Sequence, residues 1–182
     1  MIISRNPATG EALLRLEAHD ASSVEQRLAR AHGAQKDWAQ VPASDRAALL
    51  RRIAQALRHL KDDLARTITL EMGKPLTESI AEVEKCAWNF DHYADAAAAM
   101  LADEIVPSGA SDSRIVQDPL GLVLAVMPWN YPLWQVLRAA APILVGGNGL
   151  VLKHASNVPQ CALAIEALCQ RAGLPEGLVT TL

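Results

Sequence analysis

The chain has few aromatic residues, which make up 4% of its 182 residues and include a single phenylalanine. Hydrophobic residues still account for 51% of the sequence. A sizeable core is therefore expected, and aliphatic side chains and alanine must form most of it. The length is typical of one domain.

The sequence also lacks an excess of charge, since its formal net charge is −3. That value gives no reason to expect nucleic acid or an anionic membrane as a partner. No run reaches the roughly 18 apolar residues of a membrane-spanning helix, and no basic segment followed by an apolar stretch opens the chain. The three cysteines lack the spacing of a disulfide framework. These features favour the reducing cytoplasm.

A strand, a tight turn and a helix follow one another between residues 122 and 145. The uncharged run 122–127 is rich in β-branched residues, which predicts a buried strand of a parallel sheet. Pro128 ends this strand, and Pro132 suits a first helical position before an apolar helix over 133–145. Ligands of open α/β sheets bind at the carboxyl ends of strands, where Trp129 and Asn130 would lie.

A second unit of the same kind follows. Residues 150–152 are predicted as a strand, 153–157 as its exit loop and 159–172 as a helix ended by Gly173. A third strand begins near residue 177. The glycines at 146–149 precede a strand instead of following one, so the dinucleotide-binding fingerprint Gly-x-Gly-x-x-Gly is absent.

The motifs of these units resemble the aldehyde dehydrogenase superfamily along the whole chain. Residues 128–132 read Pro-Trp-Asn-Tyr-Pro, and residues 147–156 match the family pattern Gly-Asn-x-x-[Val/Leu]-Leu-Lys-x-x-[Ser/Glu]. Residues 172–179 look like the family's Ala-Gly-x-Pro-x-Gly-[Val/Leu] segment, and residues 6–11 and 71–75 fit its first turn and an early helix junction. Within the superfamily, the sequence is most similar to the bacterial succinate-semialdehyde dehydrogenases.

The resemblance implies an α/β fold, in which N-terminal helices precede the first βαβαβ units of a Rossmann-like parallel sheet. It divides the chain into an N-terminal helical part of the cofactor domain (1–108), a bridging arm that pairs with neighbouring subunits (109–121) and the first half of the NAD(P)-binding sheet (122–182). The chain looks like the first two fifths of a subunit. We therefore expect an incomplete aldehyde dehydrogenase fold and a homo-oligomer at full length.

Before the arm, the pattern predicts a hairpin and four helices. Strands are expected at 2–3 and 12–16. Ser22 or Ser23 is expected to cap the first helix and Ser44 the second. The third helix should end at Gly73. The charged side chains of the fourth helix (77–100) are expected to form a solvated face, and they are Glu78, Glu82, Glu84 and Lys85.

Asn130 is the candidate catalytic residue. A side-chain amide N–H can stabilise the oxyanion that forms when a thiolate attacks an aldehyde, and it does so without titrating. The alternative is a turn residue whose amide bonds only to the backbone. The resemblance implies that Trp129 and Asn130 lie along the nicotinamide of the cofactor, although Trp129 could simply pack under the turn.

Residues 153–156 are the candidate cofactor-binding segment. The resemblance implies that Lys153 bonds the adenosine ribose, whereas the alternative is a surface lysine. A glutamate at position 156 would repel a 2′-phosphate, whereas Ser156 is small and neutral and can donate a hydrogen bond to one. His154, beside Ala155, could add positive charge nearby. We therefore expect NADP or NAD as cofactor, and no metal.

Arg138 is the candidate substrate-binding residue. It is the only charge in the predicted helix 133–145, lies eight residues after Asn130 and is therefore on nearly the same side of the helix. In the succinate-semialdehyde dehydrogenases that the sequence resembles, an arginine at this offset binds the distal carboxylate of the substrate. The alternative is a structural ion pair with a carboxylate elsewhere in the subunit, which would neutralise a buried charge.

None of the cysteines matches the Gly-Gln-x-Cys context of the family nucleophile. The general-base glutamate and the cofactor glycines would also lie beyond Leu182, so we expect the chain to be inactive alone. The full-length protein is expected to oxidise an aldehyde with NAD(P), and the expected substrate is succinate semialdehyde. The alternatives are another semialdehyde or aminoaldehyde specificity, or a non-catalytic module that binds nucleotide or supports an oligomer.

Overall fold

The computed structural model describes residues 1–182 and begins with the expected hairpin. Strands β1 (Ile2–Arg5) and β2 (Ala12–Leu16) pair in antiparallel fashion. The Asn6 side chain accepts a hydrogen bond from the backbone N–H of Ala8 at 2.9 Å and so stabilises the intervening turn.

Four helices follow, as the sequence predicts. They are α1 (Ala21–Ala39), α2 (Ala43–His59), α3 (Lys61–Met72) and α4 (Leu76–Met100). The predicted caps were wrong for two of them. Asp20 caps α1 by accepting from the backbone N–H of Ser23, because its carboxylate precedes the predicted serines, which lie inside the first turn. Ser44 lies inside α2, which begins without a side-chain cap.

A short antiparallel ribbon joins the helices to the sheet. Its strands are β3 (Glu104–Ile105) and β4 (Arg114–Ile115), and both are exposed. The predicted boundary between residues 108 and 109 therefore falls between the two paired strands of this ribbon.

The C-terminal part of the chain is a three-stranded parallel sheet with two helices. Strands β5 (Leu122–Met127), β6 (Gly149–His154) and β7 (Val179–Thr181) lie in the order β5-β6-β7. Helix α5 (Trp134–Val145) connects the first pair of strands and α6 (Pro159–Ala172) the second. This order is that of one half of a doubly wound sheet.

Two expectations about these strands were wrong. Strand β5 is not buried: it lies at the sheet edge, and the side chains of Leu124 and Val126 are 62% and 66% exposed on one face. Strand β6 extends through Lys153 and His154, which were expected in its exit loop. Both residues continue the parallel ladder, because Val126 and Met127 lie opposite them on β5.

The core is aliphatic and alanine-rich, as the composition predicts. Trp38 and Phe90 are the only aromatic residues among its fully buried members. The indole Nε1–H of Trp38 donates to the carbonyl oxygen of Leu144 at 2.8 Å, which ties α1 to α5. No helix of the chain has the length and apolar character needed to cross a membrane.

Candidate functional site

The candidate site lies at the carboxyl edge of the parallel sheet. Met127 and His154 are the last paired residues of β5 and β6. The Asn130 loop (residues 128–133), which follows β5, therefore emerges beside residues 155–157, which follow β6. The topology brings the two predicted clusters of site residues to adjacent strand ends.

Asn130 is exposed at the middle of the Asn130 loop. Its side chain takes no part in the hydrogen bonds of the loop, which are made by the residues that follow it. The neighbouring Trp129 is 50% exposed and borders a cavity of about 440 Å³ together with Arg5 and Asn157. The amide is thus free to donate to a ligand, and the packed position considered for Trp129 is not what the structure shows.

Glu82 holds the far end of the Asn130 loop. Its Oε1 accepts hydrogen bonds from the backbone N–H groups of Leu133 and Trp134, both at 2.9 Å. Its Oε2 is paired with the ammonium group of Lys74. The expectation that Glu82 belongs to a solvated face was wrong, because the residue is 3% exposed and lies on the apolar face of α4.

Tyr131 and Trp134 each lie against a lysine. The ammonium of Lys74 is 3.8 Å from the centroid of the Tyr131 ring, and that of Lys85 is 4.2 Å from the centroid of the Trp134 ring. Both are cation–π distances. The two aromatic residues and Lys85 border a cavity of about 400 Å³ at the junction of α4 and α5. Tyr131, which lines this cavity, directly follows Asn130 in the chain.

His154 is a buried neutral residue, which corrects the expectation that it adds charge. Its Nδ1 accepts from the backbone N–H of Ala155 at 2.8 Å, so the proton is on Nε2, which donates to the carbonyl oxygen of Pro132 at 2.8 Å. Burial lowers the pKa of the imidazole, and the bond to Pro132 opposes this shift only in part. His154 therefore links β6 to the Asn130 loop and contributes no charge.

The segment 153–156 borders a cavity of about 310 Å³. Lys153 and Ser156 are exposed, whereas Ala155 is half-buried. The opposite wall comes from the N-terminal hairpin and from the chain before α1, through residues that include Leu16 and His19. An exposed ammonium and an exposed hydroxyl at the end of a parallel strand suit the ribose and phosphate groups of a dinucleotide.

Neither helix of the sheet offers a free N-terminus to a phosphate. Glu82 occupies the N-terminus of α5, and Glu71 occupies that of α6, where its Oε1 accepts from Gln160 N–H at 2.9 Å and its Oε2 from Cys161 N–H at 2.8 Å. In dinucleotide-binding folds with the glycine fingerprint, the first helix N-terminus binds the pyrophosphate. Because buried carboxylates occupy the N-termini of α5 and α6, neither N-terminus is available to bind a pyrophosphate. This agrees with the absence of the glycine fingerprint.

Arg138 is exposed on α5, one turn after Trp134. Arg138 is therefore not a buried charge within these residues, and an ion pair with a carboxylate elsewhere in the subunit stays a prediction. The ion pairs of the chain involve other arginines, such as Arg114 and Arg58. Residues four apart on a helix lie on one face, so Arg138 continues the face on which Trp134 and Lys85 meet.

The three cysteines are free and buried. Burial raises the pKa of Cys169 to about 12. Burial also raises the pKa of Cys86 and Cys161, and the nearby carboxylates of Glu82 and Glu71 add to these shifts. All three side chains are neutral thiols at neutral pH and are not poised as nucleophiles.

Sequence reasoning missed Glu82, Lys74 and Glu71, the side chains that hold the two strand exits. One signal was available for Glu82. Ser79, Val83 and Cys86 mark the buried stripe of α4, and Glu82 falls within it at helical spacing. Residues 71–75 match a family motif that contains both Glu71 and Lys74, but that match assigns neither side chain a role.

The chain matches known proteins in sequence and in fold. The model of the aldehyde dehydrogenase family matches residues 1–182. A probable NADP⁺-dependent succinate-semialdehyde dehydrogenase of Synechocystis sp. is 49% identical over 181 residues, which cover 100% of this chain and 40% of that protein. A succinate semialdehyde dehydrogenase (NAD(P)⁺) of Escherichia coli is 45% identical over 97% of this chain and 38% of its own length.

A solved structure shows the same fold. The crystal structure of the succinic semialdehyde dehydrogenase from Streptococcus pyogenes, in complex with NADP⁺, superposes with a TM-score of 0.95 at 34% identity. The match covers 100% of this chain and 40% of that one. The chain thus spans about two fifths of the length of the relatives that it matches.

Proposed function

The chain belongs to the aldehyde dehydrogenase family, and on that premise we propose that it is the N-terminal part of an NAD(P)-dependent enzyme that oxidises succinate semialdehyde to succinate. In the overall reaction, aldehyde and water become a carboxylate and two protons while one hydride passes to NADP⁺ or NAD⁺. The observation that carries the proposal is the exposed amide of Asn130, free of intrachain bonds and held beside the end of β6.

In this proposal, Asn130 stabilises the reacting oxygen. A thiolate supplied from outside these residues adds to the aldehyde carbon, and the carbonyl oxygen gains negative charge. The side-chain N–H of Asn130 donates to that oxygen, and a donor of this kind is typically worth about 2.7–4 kcal/mol. The bound nicotinamide supplies the acceptor for the hydride.

We further propose that residues 153–156 hold the adenosine end of the cofactor, and Trp129 its nicotinamide end. Lys153 and Ser156 are exposed along one cavity, where a lysine and a neutral donor accommodate a 2′-phosphate and no glutamate within the segment repels it. Ala155 offers close backbone contact. His154 acts in this segment through its bonds to the carbonyl oxygen of Pro132 and to the backbone N–H of Ala155.

Arg138 is proposed to bind the carboxylate of the substrate. It is exposed and outside the ion pairs of the chain, and its helix face also carries the contact between Lys85 and Trp134. A guanidinium and an ammonium on one face provide positive potential for an anionic aldehyde.

The exposed ribbon of β3 and β4 is proposed to pair with neighbouring subunits of a homo-oligomer. Ile105 is 76% exposed on this ribbon, and Ile115 and Val116 are about half exposed. Edge strands with exposed apolar side chains favour pairing with another chain. The free buried thiols suit the reducing cytoplasm, where we propose that the protein acts.

The experiment that tests the function begins with the reading frame that continues beyond Leu182. A Gly-Gln-x-Cys sequence should follow, and the purified full-length product should reduce NADP⁺ or NAD⁺ with succinate semialdehyde. The isolated chain should show no turnover above a control without enzyme. Turnover by the isolated chain, or a full-length product inactive on every aldehyde tested, would contradict the proposal.

A further inference from the structure

Side chains from other elements hold the backbone of the Asn130 loop through hydrogen bonds. The helical hydrogen-bond ladder of α5 starts with Gln135 N–H donating to the carbonyl oxygen of Tyr131. The two preceding N–H groups, those of Leu133 and Trp134, have no backbone acceptor and bond to Glu82 instead. Leu133 occupies the capping position of α5 and has no side-chain acceptor to offer.

Glu82 therefore caps α5 from a different helix. A carboxylate at a helix N-terminus accepts from otherwise unpaired donors and meets the positive end of the helix dipole. Here the bonded groups are buried or half-buried, so losing the acceptor leaves two donors without a partner. Such a loss is expensive for backbone donors that are largely shielded from water.

Lys74 makes this arrangement possible. It follows Gly73, whose left-handed conformation (φ 90°) ends α3 and turns the chain toward α4. The buried ammonium neutralises Glu82 and also lies over the ring of Tyr131. One lysine thus contacts both the capping carboxylate and the side chain next to Asn130. Removing either member of a buried ion pair leaves the other charge uncompensated.

We propose that Glu82, with Lys74 as its partner, is a positioning residue that places the Asn130 amide in the site. The loop is fixed at Leu133 and Trp134 by Glu82 and at Pro132 by His154. Asn130 itself makes no intrachain hydrogen bond, so the position of its amide is set by the backbone that Glu82 and His154 hold. The catalytic part of this inference rests on the proposed function; the structural part does not.

The first experiment uses the 182-residue chain and measures amide hydrogen exchange at single-residue resolution. In Glu82→Gln, the exchange at Leu133 and Trp134 should accelerate about tenfold or more, because a charge-assisted acceptor is lost and Lys74 is left unpaired. Glu71→Gln is the matched control. It should accelerate exchange at Gln160 and Cys161, the amides that Glu71 caps, and leave Leu133 and Trp134 unchanged.

A double-mutant cycle separates positioning from general destabilisation. Lys74→Met should also accelerate exchange at Leu133 and Trp134. The double variant Lys74→Met/Glu82→Gln should exchange more slowly than either single variant, because the introduced glutamine side chain keeps an acceptor oxygen and no buried charge remains. Additive effects of the two substitutions would overturn the proposal.

The wild-type chain provides a test that does not depend on a variant folding. The Leu133 and Trp134 amides precede the helical ladder, yet they should be protected from exchange like amides inside α5. Exchange at the rate of the exposed loop amides would overturn the proposal by itself.

The last measurement uses the full-length enzyme. Glu82→Gln should lower kcat by about ten- to a hundredfold and change KM for NADP⁺ far less, since the segment 153–156 that holds the adenosine end is not altered. An unchanged kcat beside accelerated exchange would refute the catalytic part alone. A wild-type enzyme inactive on aldehydes, with the exchange pattern as described, would refute the proposed function and leave the structural role of Glu82 standing.

Discussion

The Nε2 of His154 lies 2.8 Å from the carbonyl oxygen of Pro132 and donates its proton to it. Because Nδ1 accepts from Ala155 N–H, both ring nitrogens are engaged and the imidazole is neutral. A residue at the end of β6 thereby holds the loop that follows β5. The two halves of the candidate site are connected by this one side chain.

Stability should depend on the ionisation of His154. Burial lowers the pKa of this imidazole in the folded chain, so below about pH 6.5, the ordinary value, the unfolded state binds a proton that the folded state does not. The contribution of the neutral imidazole to the free energy of unfolding is therefore fully present above that pH, and it is lost as the pH drops toward the folded pKa. The loss is about 1.4 kcal/mol for each unit of pKa depression.

Urea unfolding between about pH 7 and pH 5.5 measures this dependence. The slope should be shallower in His154→Gln than in the wild type, whereas His32→Gln, a substitution at an exposed site on α1, should keep the wild-type slope. Equal slopes in all three proteins would refute the assignment.

The cysteines should resist alkylation. All three are free and buried, and burial raises their pKa values, that of Cys169 to about 12. In the native chain at neutral pH, iodoacetamide should label none of them within a time that fully labels a small-molecule thiol. In denaturant it should label all three, as read by mass spectrometry. Rapid labelling of one native cysteine would reveal an activated thiol.

Cofactor preference should shift in Ser156→Glu. A carboxylate beside Lys153 repels a 2′-phosphate and accepts from ribose hydroxyls, so KM for NADP⁺ should rise about tenfold relative to KM for NAD⁺ in the full-length enzyme. Ser156→Ala, which adds no charge, should change the ratio far less. An unchanged ratio in Ser156→Glu would place the ribose elsewhere.

Substrate recognition should depend on Arg138. In Arg138→Leu, KM for succinate semialdehyde should rise about tenfold or more, the cost of losing a hydrogen bond to a charged group, while KM for a neutral aldehyde of similar length should change little. Arg66→Leu, an exposed arginine on α3, serves as the control. Equal increases for both aldehydes in Arg138→Leu would argue against carboxylate binding.

The elements with regular apolar spacing, and the helix ends marked by proline or glycine, could be predicted from the sequence. The ends of α6 at Pro159 and before Gly173 agree with the structure, because proline and glycine act through local geometry. Strand β5 has the predicted bounds. Its exposure could not be predicted from its composition, because an apolar run reads the same at the edge of a sheet as at its centre.

The site could be predicted in part. The motifs identified the two strand exits, and the register of β5 and β6 brings these exits together. The burial of Glu82 and His154 depends on partners 51 and 22 residues away in sequence. The helical spacing of Glu82 within the buried stripe of α4 indicates its burial, but local patterns do not identify such distant partners. They therefore predict neither the capping role of Glu82 nor the neutral state of His154.

The role of Asn130 is tested most directly by the kcat of the full-length enzyme with Asn130 replaced. Asn130→Ala removes the donor, and kcat should fall by about 10²–10³ while KM for NADP⁺ stays nearly constant. In Asn130→Asp, the new side chain has the same shape but repels an oxyanion, so kcat should fall at least as far as in Asn130→Ala. A kcat for Asn130→Ala within about threefold of the wild type would contradict the oxyanion role and with it the central claim about this loop.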